Sequence, residues 1–306
     1  MTTIIVLLTI ITGGYMSKSP MVFLASVLLS TTLSAFASAP LIIAHRGGTG
    51  DGPENTAYTI EKSLHNKADA IWVTLQLTKD NVIVLYRPSD LSSLTSLTGT
   101  VSSFTADELA AADAAWKYLP PDYPLRGKGI HVPTLESVLK KWPDTFFYLD
   151  IKSPDASPQQ FASTLLTLLK NTHSLKRVRV YSTDEKYTSA LPEAIPRFES
   201  RDLTRTALAN ITMDHLCTLP AEQGKGKWYG FEFRREVQVI EKFTLGEGVS
   251  TSYLQWDPEA FKCFTGGNKN KVVLFGINTP EDYQQAKALG AYGVLVDSPE
   301  KFKDRK

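Results

Sequence analysis

The stretch His45-Arg46-Gly47-Gly48-Thr49-Gly50-Asp51-Gly52-Pro53-Glu54-Asn55 places three chemically capable side chains around one glycine-rich turn. A histidine can accept or donate a proton near neutrality. An arginine grips an oxyanion through its planar fork. A carboxylate can ligate a hard cation. Each also has a plainer role. His45 could be structural, Arg46 could sit in a buried salt bridge, and Glu54 could complement the dipole of a helix first turn. The turn follows Leu41-Ile42-Ile43-Ala44, an apolar run that reads as a buried strand, and precedes a helix over 55–66. A strand that ends this way presents its chemistry at the carboxyl end of an α/β sheet.

The elements that must hold such a turn recur along the chain. Short β-rich apolar runs predict strands near 40–44, 70–77, 146–151, 177–181, 197–201, 228–233, 272–277 and 293–297. Helices are predicted over 105–114, 134–141, 157–170, 184–191, 235–243 and 280–288. Strict alternation argues for parallel topology, and eight strands suit a (β/α)8 TIM barrel, an α/β fold. Val82 to Tyr86 breaks the alternation, because it follows the 70–77 strand across only Thr78 to Asn81. A parallel crossover needs a dozen or more residues, so this strand must turn back antiparallel or lie outside the barrel. Residues 88–133 then form a small excursion after the second strand, rich in Ser, Thr, Pro and Gly.

The 306 residues are 42% hydrophobic and 21% charged, with a net charge of +1. That is ordinary globular composition and gives no bulk argument for a nucleic-acid partner. Lysines near 225–227 and 269–271 read as solvated loop charges. Residues 1–39 read as a signal-peptide region. Met21 to Ser34 is apolar, Lys18 supplies the positive end, and Ala37-Ser38-Ala39 is an A-x-A cleavage pattern. A second apolar run, Ile4 to Ile11, precedes it, which suggests that translation starts at Met16. The barrel domain then spans 40–306, exported to the periplasm or secreted, with no stable membrane span after cleavage; an uncleaved anchor is the rival reading. Export implies an oxidising compartment. Cys217 and Cys263 either pair in one disulfide or stay as two buried thiols.

His45-Arg-Gly with Pro53-Glu-Asn-Thr56 resembles the opening signature of the glycerophosphodiester phosphodiesterases. So do Leu77-Thr78-Lys79-Asp80, Thr98-Gly99-Thr100-Val101, Val132-Pro133-Thr134-Leu135, Asp150-Ile151-Lys152, Asn278-Thr279-Pro280-Glu281 and the run from Gly290 to Pro299. The resemblance implies hydrolysis of a phosphodiester by two histidines, with a divalent cation such as Mg or Ca held by carboxylates. It makes His45 an acid–base group, Arg46 and Lys152 phosphate partners, and Glu54 and Asp150 metal carboxylates. Asp150 stands where the family has glutamate. Glu232 and Trp256-Asp257 are further carboxylate candidates; for Glu232, pairing with Arg234 or Arg235 is the plainer reading.

Other family positions carry different residues. The glutamate and aspartate of the second motif fall on Trp72 and Thr74. The second histidine falls on Arg87, and the aspartate after it on Pro88, with Asp90 nearby. An arginine cannot shuttle protons near neutrality, but it supplies fixed positive charge. The first expectation is an exported phosphodiesterase acting on glycerophosphodiesters or related lipid headgroup diesters. The alternatives are a weak or inactive barrel that binds a phosphorylated ligand, or a metal-independent phosphodiesterase using Arg87. Bacterial phosphatidylinositol-specific phospholipases, which share a related barrel, are precedent for the last. His65, His131, His173 and His215 read as surface or packing residues.

Overall fold

The computed structural model describes residues 38–219, 226–266 and 269–305. The expected signal region therefore lies outside the described residues, except for its last two positions. The strands are β1 (Leu41–Ala44), β2 (Ala70–Leu77), β3 (Ile83–Leu85), β4 (Phe147–Ile151), β5 (Val178–Ser182), β6 (Trp228–Glu232), β7 (Arg234–Phe243), β8 (Gly246–Gln255), β9 (Lys271–Phe275) and β10 (Gly293–Val296). The helices are α1 (Ala57–His65), α2 (Ala106–Ala110), α3 (Leu135–Lys141), α4 (Pro158–Asn171), α5 (Glu185–Ala190), α6 (Arg201–Asp214), α7 (Pro258–Thr265) and α8 (Pro280–Leu289).

Seven parallel strands run in the order β5-β4-β2-β1-β10-β9-β6. The extended segment 196–199 joins the two ends. Val180 N donates to Pro196 O at 2.8 Å, Phe198 N to Val180 O at 2.9 Å, and Glu199 N to Trp228 O at 2.8 Å. Residues 197–201, expected as a strand, thus supply the eighth stave only through Glu199, and Ser200 caps α6. The result is the expected TIM barrel.

The interior is filled by rings. Trp72 is 2% exposed. Its ring lies 5.9 Å from Tyr148, 5.2 Å from Tyr181 and 5.2 Å from Phe275, centroid to centroid. Trp72 therefore plugs the barrel below its carboxyl mouth. Because side chains alternate along a strand, Thr74 lies one layer nearer the mouth on the same face. Thr74 is also the register partner of Asp150 across β2 and β4. Two outer apolar clusters seat the helices, one holding Ile60, Leu135 and Phe161, the other Leu208, Phe264 and Ala286. Ser or Thr side chains cap the first turns of α1, α3, α4, α6 and α8, and Asp257 caps α7. Each such cap contributes about 1 kcal/mol.

As expected, β3 pairs antiparallel with β2. The excursion builds a small core of its own from Leu91, Val101, Leu109 and Ile130, packed on Val84 and Tyr86 of the β3 segment. The helix expected over 235–243 is instead β7, which pairs antiparallel with β8 in a separate hairpin. Its β-branched residues, among them Val237 and Ile240, and the turn at Thr244-Leu245 before Gly246 favour that structure. Cys217 and Cys263 are disulfide-bonded, tying the chain after α6 to α7.

Candidate active site

The glycine-rich turn leaves β1 through three successive left-handed residues, Arg46 (φ 50°), Gly47 (φ 80°) and Gly48 (φ 107°). Arg46 holds a conformation that non-glycine residues seldom adopt, which needs support from its surroundings. That support is backbone bonding, since Asn55 N donates to Arg46 O at 2.7 Å. Gly50 N donates to Asp297 O at 2.7 Å, and a Cβ at Gly50 would approach that oxygen to 3.0 Å. Asp51 accepts from Ser298 Oγ at 2.5 Å and from Glu300 N at 3.1 Å. The turn is thus strapped to the chain just beyond β10.

This strapping brings His45 to Asp297. Nδ1 of His45 lies 2.6 Å from Oδ1 of Asp297. The other carboxylate oxygen accepts from Asn278 Nδ2 at 2.8 Å, and Asp297 N donates back to Asn278 Oδ1 at 2.8 Å. The His45 bond holds the Asp297 carboxyl below its ordinary value against the opposing effect of burial. Asp297 and Asn278 were missed as site residues in the sequence. Both directly follow a barrel strand or its next turn, and position at the carboxyl ends of β9 and β10 was the available signal.

Arg46 Nη1 donates to Glu54 Oε2 at 2.7 Å. The salt bridge named as the plainer role of Arg46 is therefore formed. Asn55 accepts from Thr74 N through Oδ1 at 2.9 Å, which ties the turn to β2. On β4, Lys152 Nζ lies 3.3 Å from Asp150 Oδ1 in an ion pair and donates to Thr183 Oγ1 at 2.7 Å. Burial pushes the Asp150 carboxyl up, opposed by Lys152; burial pulls the Lys152 ammonium down, opposed by Asp150. Arg87 is exposed, with its backbone oxygen held by Gln76 Nε2 at 3.2 Å on β2. Lys152 N donates to Leu75 O at 3.0 Å, so Arg87 and Lys152 flank the same end of β2. The charges of Arg87 and Arg201 both bear on the Lys152 ammonium.

Arg201 is a third residue the sequence did not reveal. Its Nη2 donates to Glu232 Oε1 at 2.5 Å, and Arg235 Nη1 reaches the same oxygen at 3.0 Å. Glu232 is thus paired as the plainer reading held, though its second partner is Arg201. Arg234 turns away to Asp282 at 2.6 Å. Asp257 caps α7, and Asp90 accepts from Ser92 N and Gly99 N within its own loop. His65, His173 and His215 stand at or just past the carboxyl ends of α1, α4 and α6, the barrel end opposite the strand termini; His131 bridges to Asp113 in the excursion.

A divalent ion asks for several oxygen ligands free of other cations. Glu54 Oε1 and Asp150 Oδ1 are buried oxygens without a hydrogen-bond donor, as such ligands would be. Each carboxylate is nevertheless paired with a basic side chain, and the neighbouring family positions hold Trp72 and Thr74. Among the described residues no cluster of three or more His, Cys, Asp or Glu is placed to hold a metal. Glu54 and Asp150, expected as metal carboxylates, therefore do not fit a resident dication.

Residues 45–301 match the Glycerophosphoryl diester phosphodiesterase family. The chain is 39% identical over 267 residues to an uncharacterized protein of Mycobacterium tuberculosis, covering 85% of this chain and 87% of that one. The crystal structure of the glycerophosphoryl diester phosphodiesterase domain of the M. tuberculosis protein Rv2277c superposes with a TM-score of 0.80 at 38% identity, covering 86% of this chain and 98% of that one. A phosphodiesterase of Oleispira antarctica, solved in complex with the product sn-glycerol-3-phosphate, superposes with a TM-score of 0.61. It covers 87% of this chain and 96% of that one, but its 18% identity speaks for the fold alone.

Proposed function

This chain belongs to the glycerophosphoryl diester phosphodiesterase family, and from that premise we propose that it hydrolyses glycerophosphodiesters or related lipid-headgroup diesters. The observation that carries the reading is the His45–Asp297 pair set beside Arg46 at the barrel mouth. Asp297 fixes the proton on Nδ1 and leaves Nε2 to exchange one with the reactants, as a carboxylate does for a catalytic imidazole. Water attacks phosphorus and gives its proton to His45; the phosphorus–oxygen ester bond breaks, and the leaving alkoxide takes a proton from solvent. Arg46, Arg87 and Lys152 offset charge on the non-bridging oxygens, which grows as the bond to water forms. The products are a phosphomonoester and an alcohol.

A second reading has one observation in its favour: the family position of the second histidine holds Arg87, which cannot shuttle a proton near neutrality. A barrel with one acid–base group can bind a phosphorylated ligand and turn it over slowly. Purified protein incubated with glycerophosphocholine, other glycerophosphodiesters and bis-p-nitrophenyl phosphate separates the two. Turnover of at least one diester, lost in His45→Ala, is expected, and no turnover across the panel rejects the hydrolase reading.

Export is part of the proposal. The signal-like region and the Cys217–Cys263 disulfide support an oxidising compartment. No helix among the described residues is long and apolar enough to cross a membrane. Fractionation of cells expressing the full chain, with amino-terminal sequencing, tests it; an intact amino terminus in the cytoplasm would reject export.

A further inference from the structure

Basic side chains engage Glu54, Asp150 and Glu232 around the barrel mouth. Arg46 sits on Glu54, Lys152 on Asp150, and Arg201 with Arg235 on Glu232, while Asp297 is bonded to His45. Arg87 carries no carboxylate partner among the described residues. A phosphodiester brings an anion to these cations. A divalent ion would instead add two charges among basic side chains, beside carboxylates already engaged, and like charges at short range in a partly dry site repel strongly.

Lys152 and Arg201 are also held in place. The Arg201 side chain is 12% exposed, bonded to Glu232 and laid over the Phe231 ring at 4.4 Å. Lys152 is fixed between Asp150 and Thr183. The Arg87 backbone is pinned by Gln76, whose Nε2 reaches the oxygens of Tyr86, Arg87 and Pro88 at 3.3, 3.2 and 2.7 Å. A preorganised set of donors stabilises developing charge without moving during the reaction.

We propose that Arg87, Lys152 and Arg201 supply the positive charge at the phosphate that a metal ion supplies in other phosphoryl-transfer sites, and that this chain works without a resident dication. As far as turnover is concerned, this rests on the phosphodiesterase reading. Arg201 is a phosphate-directed residue in this scheme, and Glu232 positions it rather than ligating metal.

The test is calorimetry on chelator-treated, full-length protein, alongside the diesterase assay. Mg²⁺ or Ca²⁺ injected alone should give no saturable heat. Glycerol 3-phosphate should bind with an affinity that added Mg²⁺ or Ca²⁺ leaves unchanged. Arg87→Ala and Arg201→Ala should each weaken that binding by about tenfold, the loss expected for one charge-assisted hydrogen bond. Circular dichroism and the thermal midpoint establish that each variant is folded, and Arg201→Lys, which keeps the charge, should recover part of the affinity.

Saturable one-to-one dication binding that Glu54→Gln abolishes would overturn the proposal. So would turnover that chelation removes and a dication restores, or glycerol 3-phosphate binding indifferent to both arginine variants. Protein that binds glycerol 3-phosphate as expected but hydrolyses no diester would reject the hydrolase reading and leave the metal-free phosphate site standing.

Discussion

His45 Nδ1 and Asp297 Oδ1 lie 2.6 Å apart although 252 positions separate them in the chain. The contact follows from barrel closure. β1 and β10 pair in parallel with Ala44 opposite Val296, so the residues that follow each strand emerge side by side. The first and last barrel strands thus make one acid–base unit, and the chain between them need only bring them together.

Asp297→Asn should lower kcat about 10²- to 10⁴-fold, the range by which a positioned acid–base group accelerates a reaction. The amide keeps the shape but no longer fixes the imidazole proton or stabilises its charged form. Binding of glycerol 3-phosphate should fall far less than turnover. Steady-state kinetics beside calorimetry checks this, and an equal loss in both would make Asp297 a residue of the scaffold alone.

The alternation of strands and helices was legible because each element carries its own periodicity and its own cap. The glycine-rich turn was legible because His45, Arg46 and Glu54 are neighbours in sequence. Asp297 and Arg201 were not, since their roles arise from contacts across 252 and 31 positions that only the closed barrel creates. The hairpin at 234–255 replaces the helix expected over 235–243 for a related reason: the β-branched residues of β7 pair with a strand that lies beyond them in the chain. Trp72 was legible as a departure from the family pattern, but its role as interior plug required the rings of Tyr148, Tyr181 and Phe275 around it.

Trp72→Ala should destabilise the fold by about 3–5 kcal/mol, because the large cavity left among rigid rings cannot collapse fully. Trp72→Glu, which restores the family's residue type, should cost at least as much, since it buries a carboxylate with no cation supplied for it. Urea midpoints read both. A Trp72→Glu protein as stable as wild type would show that the plug is dispensable.

Reduction of Cys217–Cys263, or replacement of both by serine, should lower stability by about 4 kcal/mol, the loop-closure entropy for the 46-residue separation. The effect acts on the unfolded chain, so phosphate binding by folded protein should not change. Denaturation with and without reductant gives the difference. Equal midpoints would show that the tie between α6 and α7 constrains nothing that unfolding releases.

Asp297 and Asp150 should bend the pH dependence of stability in opposite directions. The Asp297 carboxyl is held below its ordinary value near 3.8, by His45 first. Its contribution is therefore fully present above 3.8 and is lost as pH falls through the lower folded value. The Asp150 carboxyl is pushed up by burial, against the pull of Lys152. Between 3.8 and its raised folded value, the folded state holds a proton that the unfolded state has released, so stability falls as pH rises through that window. The difference in urea stability between wild type and Asp297→Asn should thus hold between about 5 and 3.8 and shrink below 3.8. A difference that shrinks well above 3.8 would mean that His45 does not hold Asp297 ionised in the folded state.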